Sequence, residues 1–522
     1  MLKNEASLIT PVFPEPQQSC KAKSSFYRRI FFLASGGIAA GLACLFMLSW
    51  LSWFCLIPLF FILEGISLKK SFFYGLLYGI LTALVLFYWV IPAAARYSGR
   101  FTFHSLLFYS GAVLYFSLYS ALFASGYRLL HRHTGSSILL GVSVSALYVL
   151  LEIIRLSLFQ GMPWFHYNLA VTQAQNLRAI QWASLGGLNI IIFTIVLFNY
   201  LVTQCMIKKD TVLLKLAAFI LIIFYGGGFL LSHNKVQSEK DKFSAVVLNE
   251  NISAETRWNE LTGDSLANVF FGLNKEACKY NPDMIVWSET AIPWRLEPDD
   301  EFIPKVLSIT YPSKADHLFG ILSPSFTDKR LVYNSAYLIK YDGRITDRYD
   351  KTILLDFLEK PFNGGPLSVL PFINICRYEN ILQGRSQNVI KSGKAVIGVL
   401  ICNESLSGDI YSNYVKEGAD LLILMSNDAW FENTMLQMHH FYITRFYAVM
   451  TGRDIIVNSN RGITGLIRAD GEINSLPASN AGRIFRCEAS LYSGKTVYFR
   501  IKEFVIPFYL LLLSISVFRR RR

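Results

Sequence analysis

Long apolar segments fill the first half of the chain, whereas short apolar runs alternate with polar stretches in the second half. A helix needs about 17–25 apolar residues to cross a bilayer. Eight segments reach or approach this length, at residues 30–47, 48–64, 72–94, 104–127, 136–158, 182–206, 213–232 and 503–518. The pattern therefore predicts a polytopic α-helical membrane domain with about eight spans.

Residues 243–502 have the pattern of one α/β domain. Short runs rich in apolar residues, typical of strands covered on both faces, lie at residues 243–249, 284–288, 317–322, 335–340, 395–401, 421–426 and 455–458. Helical patterns fill residues 260–280, 405–417 and 437–452. We accordingly divide the chain into an N-terminal tail (1–29), the membrane domain (30–242), this α/β domain (243–502) and a last span with its tail (503–522).

Composition and charge agree with a membrane protein. The 522 residues are 52% apolar and only 17% charged, against about 25% charged in a typical soluble protein. The net charge of +13 is unevenly distributed. Residues 1–242 hold 19 Lys and Arg against 7 Asp and Glu, whereas residues 243–518 hold 27 against 30. Because the polar domain is slightly acidic, we expect no nucleic-acid partner.

The orientation follows from the short loops, since those rich in Lys and Arg tend to stay in the cytoplasm. Such loops flank the N-terminus and follow the second, fourth and sixth predicted spans. The bias places residues 1–29 and Arg519–Arg522 in the cytoplasm and the α/β domain outside. Residues 1–29 lack the apolar core of a signal peptide, and Pro11, Pro14 and Pro16 favour a flexible tail.

Charged residues inside a membrane domain are costly and often functional. Glu152 and Arg155 lie about one helical turn apart, before the loop Gly161-Met162-Pro163-Trp164. Two interpretations remain open: an interfacial ion pair with an aromatic anchor, or a loop that helps to form a lipid-headgroup cavity.

Three residues of the α/β domain follow predicted strands or precede an apolar segment, where side chains can project from a sheet edge. They are Glu289, Lys351 and Cys402. A carboxylate can take a thiol proton, a lysine can stabilise an oxyanion, and a thiolate is a nucleophile. We also expect the helix that follows Cys402 to lower the pKa of its thiol. Together the three residues form a complete site for acyl transfer.

These residues stand in a longer pattern. The order Glu–Lys–Cys comes with the motifs Trp287-Ser288-Glu289-Thr290-Ala291-Ile292-Pro293, Tyr349-Asp350-Lys351, Ile401-Cys402-Asn403-Glu404 and Ser426-Asn427-Asp428-Ala429-Trp430-Phe431. This pattern resembles the carbon–nitrogen hydrolase (nitrilase) superfamily, and with the membrane region it resembles the bacterial apolipoprotein N-acyltransferases. The resemblance implies an extracytoplasmic, nitrilase-like αββα sandwich on a multi-pass domain of the bacterial inner membrane, with the sandwich on the periplasmic side.

The same resemblance implies a two-step reaction. An acyl chain passes from a membrane phospholipid to Cys402 as a thioester, and then to the α-amino group of a diacylglyceryl-cysteine lipoprotein. By the resemblance Glu289 is the general base, Lys351 stabilises the oxyanion and Cys402 is the nucleophile. The further positions that match functional residues of the family are Glu359, Glu404 and, on a thinner local match, Trp258.

The chain departs from the family pattern at several positions near these residues. Asn403 stands where Tyr is usual, Leu358 and Glu432 where Gly is usual, and Leu436–His440 replaces a Gly-Pro-x-Gln-His stretch. The loops that shape acyl access therefore differ from those of the family. Two alternative functions stay open: a membrane-anchored nitrilase-type amidase that releases acid to water, and an inactive transporter or scaffold.

Other candidate chemistry is limited. The cysteines and histidines lack the spacing of metal ligands, so we expect no metal and no cofactor. Cys278, Cys376 and Cys487 would lie outside the cytoplasm, where a disulfide is possible. The apolar segments Ile353–Phe357 and Pro293-Trp294 either dip into the membrane interface or pack in the core.

Overall fold

A bundle of apolar helices precedes two stacked β-sheets in the computed structural model of the chain. The structure describes residues 16–518 except for 99–102, 135, 159–161, 163–165, 234–237, 255, 257, 260, 296, 298–299, 326, 329, 357, 362–379, 433 and 477–482. The helices before the sheets are α1 (Pro16–Leu45), α2 (Ser49–Ser52), α3 (Ile57–Leu63), α4 (Leu68–Leu86), α5 (Val90–Ser98), α6 (Phe103–His133), α7 (Ser137–Leu158), α8 (Leu177–Ile180), α9 (Ala183–Lys208) and α10 (Thr211–His233).

Six helices in the described part of the chain, α1, α4, α6, α7, α9 and α10, are long and apolar enough to cross a membrane. Six of the predicted spans fall on them. The third predicted span differs in its end, because α4 stops at Leu86 and α5 begins a separate helix at Val90. Helix α1 begins at Pro16, although the sequence predicts a flexible tail up to residue 29.

The second predicted span is not one helix, because residues 53–56 separate α2 from α3. Pro58 stands in the first turn of α3, where a missing N–H costs nothing. The break leaves backbone groups without helical partners, and the side chain of Asn199 on α9 forms hydrogen bonds with two of them. It accepts from Leu56 N (3.0 Å) and donates to Ser52 O (3.0 Å). Irregular backbone at membrane depth is tolerated where protein groups satisfy it in this way.

The last predicted span corresponds to a shorter helix. After α15 (Val497–Ile501), helix α16 (Val505–Phe518) has 14 residues and packs along α7, where Ser143 Oγ donates to Leu512 O over 3.1 Å. Arg519–Arg522 lie outside the described residues. The prediction of eight spans is therefore not confirmed.

The α/β region contains two mixed sheets among the described residues. Their strands are β1 (Ser238–Asn249), β2 (Met284–Val286), β3 (Ile292–Arg295), β4 (Asp316–Pro324), β5 (Val332–Ile339), β6 (Ile345–Asp350), β7 (Ile381–Leu382), β8 (Ile390–Ser392), β9 (Ala395–Ile401), β10 (Leu421–Asn427), β11 (Ile455–Asn460), β12 (Thr464–Ile467), β13 (Ile473–Leu476) and β14 (Arg483–Ser493). The first sheet has the order β14-β1-β2-β4-β5-β6, with β3 beside β4 and β7 beside β5; the second has the order β13-β12-β11-β10-β9-β8.

The layers follow from the alternation of side chains along the strands. In β1, Val246 and Leu248 pack outward against α11 (Gly263–Cys278) and α12 (Phe302–Thr310), whereas Ala245 and Val247 join the core on the other face. On the second sheet, α13 (Gly408–Lys416) and α14 (Leu436–Thr451) pack together through the stacked rings of Tyr411 and Tyr447. Helices thus cover the outer faces of both sheets in this α/β region.

All seven predicted strands and all three predicted helices of this region are present; β9 has the predicted bounds, and the others have shifted ends. The sequence pattern does not predict α12, α15 or strands β3, β6, β7, β8, β12, β13 and β14. Several of these strands have only two to four residues, and β6 and β14 are rich in polar and charged residues. Such strands lack the apolar run that marks a covered strand.

Helix α14 fixes the α/β region to the membrane helices. Arg445 on α14 donates to Ala174 O (2.9 Å) from Nη1 and to Gly471 O (2.5 Å) from Nε. Gln181, just after α8, donates to Asp470 O over 2.7 Å. Helix α9 bends at Gly187, which has a φ of 65°, and the absence of a Cβ atom there leaves room for Tyr498 of α15. These contacts join the two parts through buried polar groups rather than a free linker.

Glu152 and Arg155 form a buried pair, each with only 1% of its side chain exposed. Arg155 Nη2 also donates to Tyr167 O (2.6 Å), and Tyr119 donates to Glu152 Oε1 (2.8 Å). The pair is thus buried within the protein rather than interfacial, and both charges have protein partners. Of the adjacent loop, Gly161, Pro163 and Trp164 lie outside the described residues.

Candidate active site

The candidate residues meet where several strands end. Glu289 follows β2, Lys351 follows β6 and Cys402 follows β9. Strands β2, β4 and β6 run in the same direction, as do β9 and β10. Their carboxyl ends therefore lie at common edges, the place where open α/β sheets hold their ligands.

Glu289 is buried, with 7% exposure, and its two oxygens have protein partners. Oε1 accepts from Asn334 Nδ2 (2.8 Å) and lies 3.2 Å from Lys351 Nζ, whereas Oε2 accepts from Asn427 N (3.0 Å). The loop that carries Glu289 lies directly on β4 at Gly320, where a Cβ atom would approach Ser288 O to 2.0 Å. Glycine at this position lets the Glu289 loop sit against the sheet.

Lys351 is 1% exposed and lies between two carboxylates. Its Nζ is 3.2 Å from Glu289 Oε1 and 2.9 Å from Glu359 Oε2. Burial lowers the pKa of Lys351, but the charges of Glu289 and Glu359 outweigh it and hold the pKa well above its usual range. Glu359 also accepts from Leu355 N over 2.8 Å, so its carboxylate is fixed in place. The ammonium is therefore permanently charged and held still, as an oxyanion-binding group requires.

Cys402 has a φ of 54°, in the left-handed region, which costs a non-glycine residue about 1–2 kcal/mol. It directly follows β9 and opens a five-residue 3-10 helix. Burial and the charge of Glu289 raise the pKa of its thiol well above the ordinary value, whereas Lys351 acts in the opposite direction. The expectation that a following helix lowers this pKa is therefore wrong, because the helix is a short 3-10 turn and burial dominates. A base must take the proton before the sulfur can react.

Glu404 is fully buried and connects the two sheets. Its Oε1 accepts from Thr352 N (2.6 Å), Thr352 Oγ1 (2.8 Å) and the Tyr349 hydroxyl (2.7 Å), while Oε2 accepts from Ile401 N (2.8 Å). Burial raises the pKa of Glu404 above its usual value in spite of these bonds. The carboxyl group fixes the residues beside Lys351 and Cys402.

Asn403 and Trp258 differ from the other predicted residues. Asn403 is 2% exposed, and neither atom of its amide has a hydrogen-bond partner among the described residues. Trp258 lies in the aromatic cluster of the outer core, with its ring 4.9 Å from that of Trp294 and stacked on Phe270. Its contacts are those of a core residue, and no hydrogen bond to the site is present in the described part of the chain.

Two apolar segments beside the site pack inward. Leu354 and Leu355 are buried, and Trp294 packs on Trp258, whereas Pro293 is exposed. The described residues thus favour core packing over insertion into the membrane interface; Phe357 lies outside the described residues.

The structure adds polar residues that the sequence analysis did not select. Asn334 donates to both Glu289 and Glu359. His440, to which the sequence analysis gave no role in the site, lies 3.0 Å from the carbonyl oxygen of Cys402 and 3.1 Å from Asp428. The signal for Asp428 was present in the Asn-Asp-Ala-Trp-Phe motif. No motif marked Asn334, which long-range folding brings to the site. His440 lies in the stretch Leu436–His440, which the sequence analysis noted only as a departure from the family pattern.

A small, mostly apolar cavity of about 20 Å³ lies beside Cys402. The α/β domain contributes Leu355, Leu406 and Phe431 to its walls, and Tyr167 enters from the membrane side. No group of His, Cys, Asp and Glu suited to a metal ion occurs among the described residues. Cys278 and Cys487 are free thiols, and Cys376 lies outside the described residues. The site thus offers a base, a fixed cation and a thiol next to an apolar space.

Two family models and several curated proteins are similar to this chain. Residues 35–201 match the family model of the apolipoprotein N-acyltransferase N-terminal domain, and residues 268–475 match that of carbon-nitrogen hydrolase. The chain is 27% identical to apolipoprotein N-acyltransferase of Geobacter metallireducens, over 86% of this chain and 87% of that protein. It is 26% identical to the Thermotoga maritima protein of the same name, over 90% and 89%.

Among solved structures, the chain is similar to Nit3 of Saccharomyces cerevisiae, a member of branch 10 of the nitrilase superfamily. The TM-score is 0.38 and the identity 12%, over 52% of this chain and 96% of Nit3. The family assignment rests instead on the sequence matches, which together extend over most of the chain. The chain belongs to the apolipoprotein N-acyltransferases, an acyltransferase family within the carbon–nitrogen hydrolase superfamily.

Proposed function

We propose that the protein moves an acyl chain from a membrane phospholipid to the α-amino group of a diacylglyceryl-cysteine lipoprotein, through a thioester at Cys402. In the first step Glu289 takes the thiol proton and the sulfur attacks the carbonyl carbon of the acyl ester. The C–O bond then breaks, Glu289 returns the proton to the leaving oxygen, and a lysophospholipid departs. The acyl chain remains on the sulfur of Cys402.

In the second step the neutral amine of the acceptor attacks the thioester carbonyl. Glu289 takes a proton from the nitrogen, the C–S bond breaks, and the proton returns to the sulfur. Lys351 stabilises the negative oxygen in both steps. Glu359 keeps Lys351 charged and in place, and Glu404 fixes the strand ends that carry Lys351 and Cys402.

The observation that carries the proposal is the position of Cys402. Cys402 lines an apolar cavity, together with Tyr167 from the membrane side and Leu355 from the α/β side. Moving an acyl chain into water costs about 0.8 kcal/mol for each methylene. An acyl-transferring sulfur must therefore lie beside an apolar surface next to the membrane, and the apolar walls beside Cys402 support that requirement. The cavity, about 20 Å³, must widen to admit an acyl chain.

We further propose that the chain crosses the bacterial inner membrane eight times, with the α/β domain in the periplasm. Helices α2 and α3 together would form the second crossing and α16 the last, which leaves both ends in the cytoplasm. The bias of Lys and Arg in the short loops supports this orientation. The proposed boundaries are a tail to residue 29, the membrane domain to 242, the catalytic domain to 502 and the last span beyond it.

The function is tested by mass spectrometry of a lipoprotein N-terminus from membranes with and without the protein. We expect a mass increase of one acyl chain when the protein is present. Free fatty acid without this increase would instead identify a membrane-anchored amidase. An unchanged mass increase with the Cys402→Ala variant would contradict the thioester route.

A further inference from the structure

His439 and His440 are neighbours on α14, but they face different parts of the molecule. The ring nitrogens of His439 lie 2.6 Å from the Tyr167 hydroxyl and 2.8 Å from Leu45 O, both on the membrane side. Those of His440 lie 3.1 Å from Asp428 Oδ1 and 3.0 Å from Cys402 O. One helix thus contacts both the membrane helices and the candidate nucleophile.

The partners of His440 determine its protonation. A carboxylate oxygen and a main-chain carbonyl can only accept hydrogen bonds, whereas a neutral imidazole has one N–H and one acceptor nitrogen. Both ring nitrogens of His440 must therefore donate, which requires the imidazolium. His439 differs, because the hydroxyl of Tyr167 can donate or accept, so a neutral ring satisfies both of its contacts.

Asp428 is arranged to hold this positive charge. Its side chain is buried and accepts from Ser426 Oγ (3.0 Å) and Ser459 Oγ (2.8 Å). Burial alone would raise the pKa of Asp428, but His440 and the two serines lower it below its usual value. Burial likewise lowers the pKa of His440, yet Asp428 outweighs burial and raises it; the charge of Glu289 acts in the same direction.

The carbonyl that His440 binds belongs to a residue in an unfavourable conformation. Cys402 has a positive φ, and such a conformation persists only where the surroundings fix it. On one side of Cys402, the main-chain N–H of Ile401 donates a hydrogen bond to Glu404. On the other side, the ring of His440 is hydrogen-bonded to the carbonyl oxygen of Cys402. The two contacts together fix the backbone that aims the sulfur.

We propose that His440, held as an imidazolium by Asp428, is a positioning residue for the nucleophile: it fixes the carbonyl of Cys402 and balances the charge of Asp428 beside the thiol. This inference rests on the proposed role of Cys402. Without His440, the thiol would face the uncompensated carboxylate of Asp428 in addition to that of Glu289, and its ionisation would become harder.

The test measures how fast iodoacetamide alkylates Cys402 in the full-length, detergent-solubilised protein over a series of pH values, with mass spectrometry of the Cys402 peptide. His440→Gln keeps a neutral N–H donor and removes the charge. We expect the apparent pKa of Cys402 to rise by about one unit, which is a roughly tenfold slower reaction at neutral pH. His440→Gln combined with Asp428→Asn removes both charges and should return the rate toward that of the parent.

The double variant keeps the test valid if His440→Gln disturbs packing, because a packing defect would persist in it. His317→Gln, a change at another buried histidine that lies in the outer core, is the matched control and should leave the alkylation profile unchanged. An unchanged profile in His440→Gln, or the same shift in the single and double variants, would overturn the proposal. Alkylation needs no acyl donor, so its outcome is independent of whether the protein transfers acyl chains.

The positioning role has a separate readout. His440→Ala lacks the donor to Cys402 O, whereas His440→Gln retains one. We expect acyl transfer by the Ala variant to be at least about tenfold slower than by the Gln variant, the effect of one lost hydrogen bond to a buried carbonyl. Equal rates for the two variants would contradict this part of the proposal.

Discussion

Glu404 Oε2 accepts a hydrogen bond of 2.8 Å from the main-chain N–H of Ile401, the residue directly before Cys402. Its Oε1 accepts from the main-chain N–H groups of Thr352 and Ile353, which follow Lys351. Cys402 and Lys351 belong to different sheets. One buried carboxylate therefore sets the distance between the sulfur and the cation that would stabilise its transition state.

Replacing Glu404 by Gln tests this connection. The amide has one acceptor oxygen, so its NH2 group must face either Ile401 N–H or the donors at Thr352 and Ile353. We expect a loss of about 2 kcal/mol in the free energy of unfolding and a strong loss of acyl transfer. Thermal unfolding and an acyl-transfer assay measure the two effects. Glu276→Gln, on the exposed face of α11, is the control; equal behaviour of both variants would refute the role of Glu404.

Lys351 lies between Glu289 and Glu359, and its removal leaves two buried carboxylates without a cation. Breaking a buried pair costs about 3–5 kcal/mol. We expect Lys351→Met to unfold at a markedly lower temperature and to be inactive. Adding Glu359→Gln removes one of the uncompensated charges, so stability should partly return while activity should not. A double variant no more stable than Lys351→Met would contradict this electrostatic account.

Glu289 is predicted to affect Cys402 in two opposite ways. Its negative charge raises the pKa of the thiol, and as the base it removes the thiol proton during acyl transfer. In Glu289→Gln we therefore expect the pH profile of Cys402 alkylation to move to lower pH, because the thiolate forms more easily. Thioester formation with a phospholipid donor should nevertheless be lost. If the alkylation profile moves to higher pH, or thioester formation is undiminished, the assignment is wrong.

Much of the fold was predictable where the sequence carries a strong apolar pattern. The strand Ala395–Ile401 has the same bounds in the sequence prediction and in the structure, because seven nearly continuous apolar residues are typical of a covered strand. The break between α2 and α3 was not predictable, since Asn199 satisfies the exposed backbone from a distant part of the chain. Strand β6 was not predicted for another reason. Most of its residues are polar or charged, so it lacks an apolar run.

The residues of the candidate site also divide into those that the sequence predicted and those that it did not. Glu289, Lys351, Cys402, Glu359 and Glu404 were selected on motifs, and the structure brings them together. The protonation of Cys402 could not be read from the sequence, because burial and neighbouring charges depend on the whole fold. His440 was noted only within a stretch that departs from the family pattern, although its distance to Cys402 O makes it a neighbour of the nucleophile.

Asn403 gives a prediction about stability. Both polar atoms of its buried amide lack partners among the described residues, and such atoms cost about 1–3 kcal/mol each. Leu has a similar shape without polar atoms, so we expect Asn403→Leu to raise the thermal unfolding temperature. A lower unfolding temperature would mean that the amide has an essential partner. A higher one combined with slower acyl transfer would identify Asn403 as a contact for a polar group of the substrate.

The most direct test of the account is the mass of the Cys402 peptide after the full-length protein has been incubated with phospholipid vesicles alone. We predict an added mass of one acyl chain on Cys402 that is released by hydroxylamine, as a thioester is, and that disappears when a diacylglyceryl-cysteine peptide is added. The Cys402→Ala variant should neither gain this mass nor acylate the peptide. Acylation of the peptide by that variant, or an acyl chain found on a residue other than Cys402, would contradict the account.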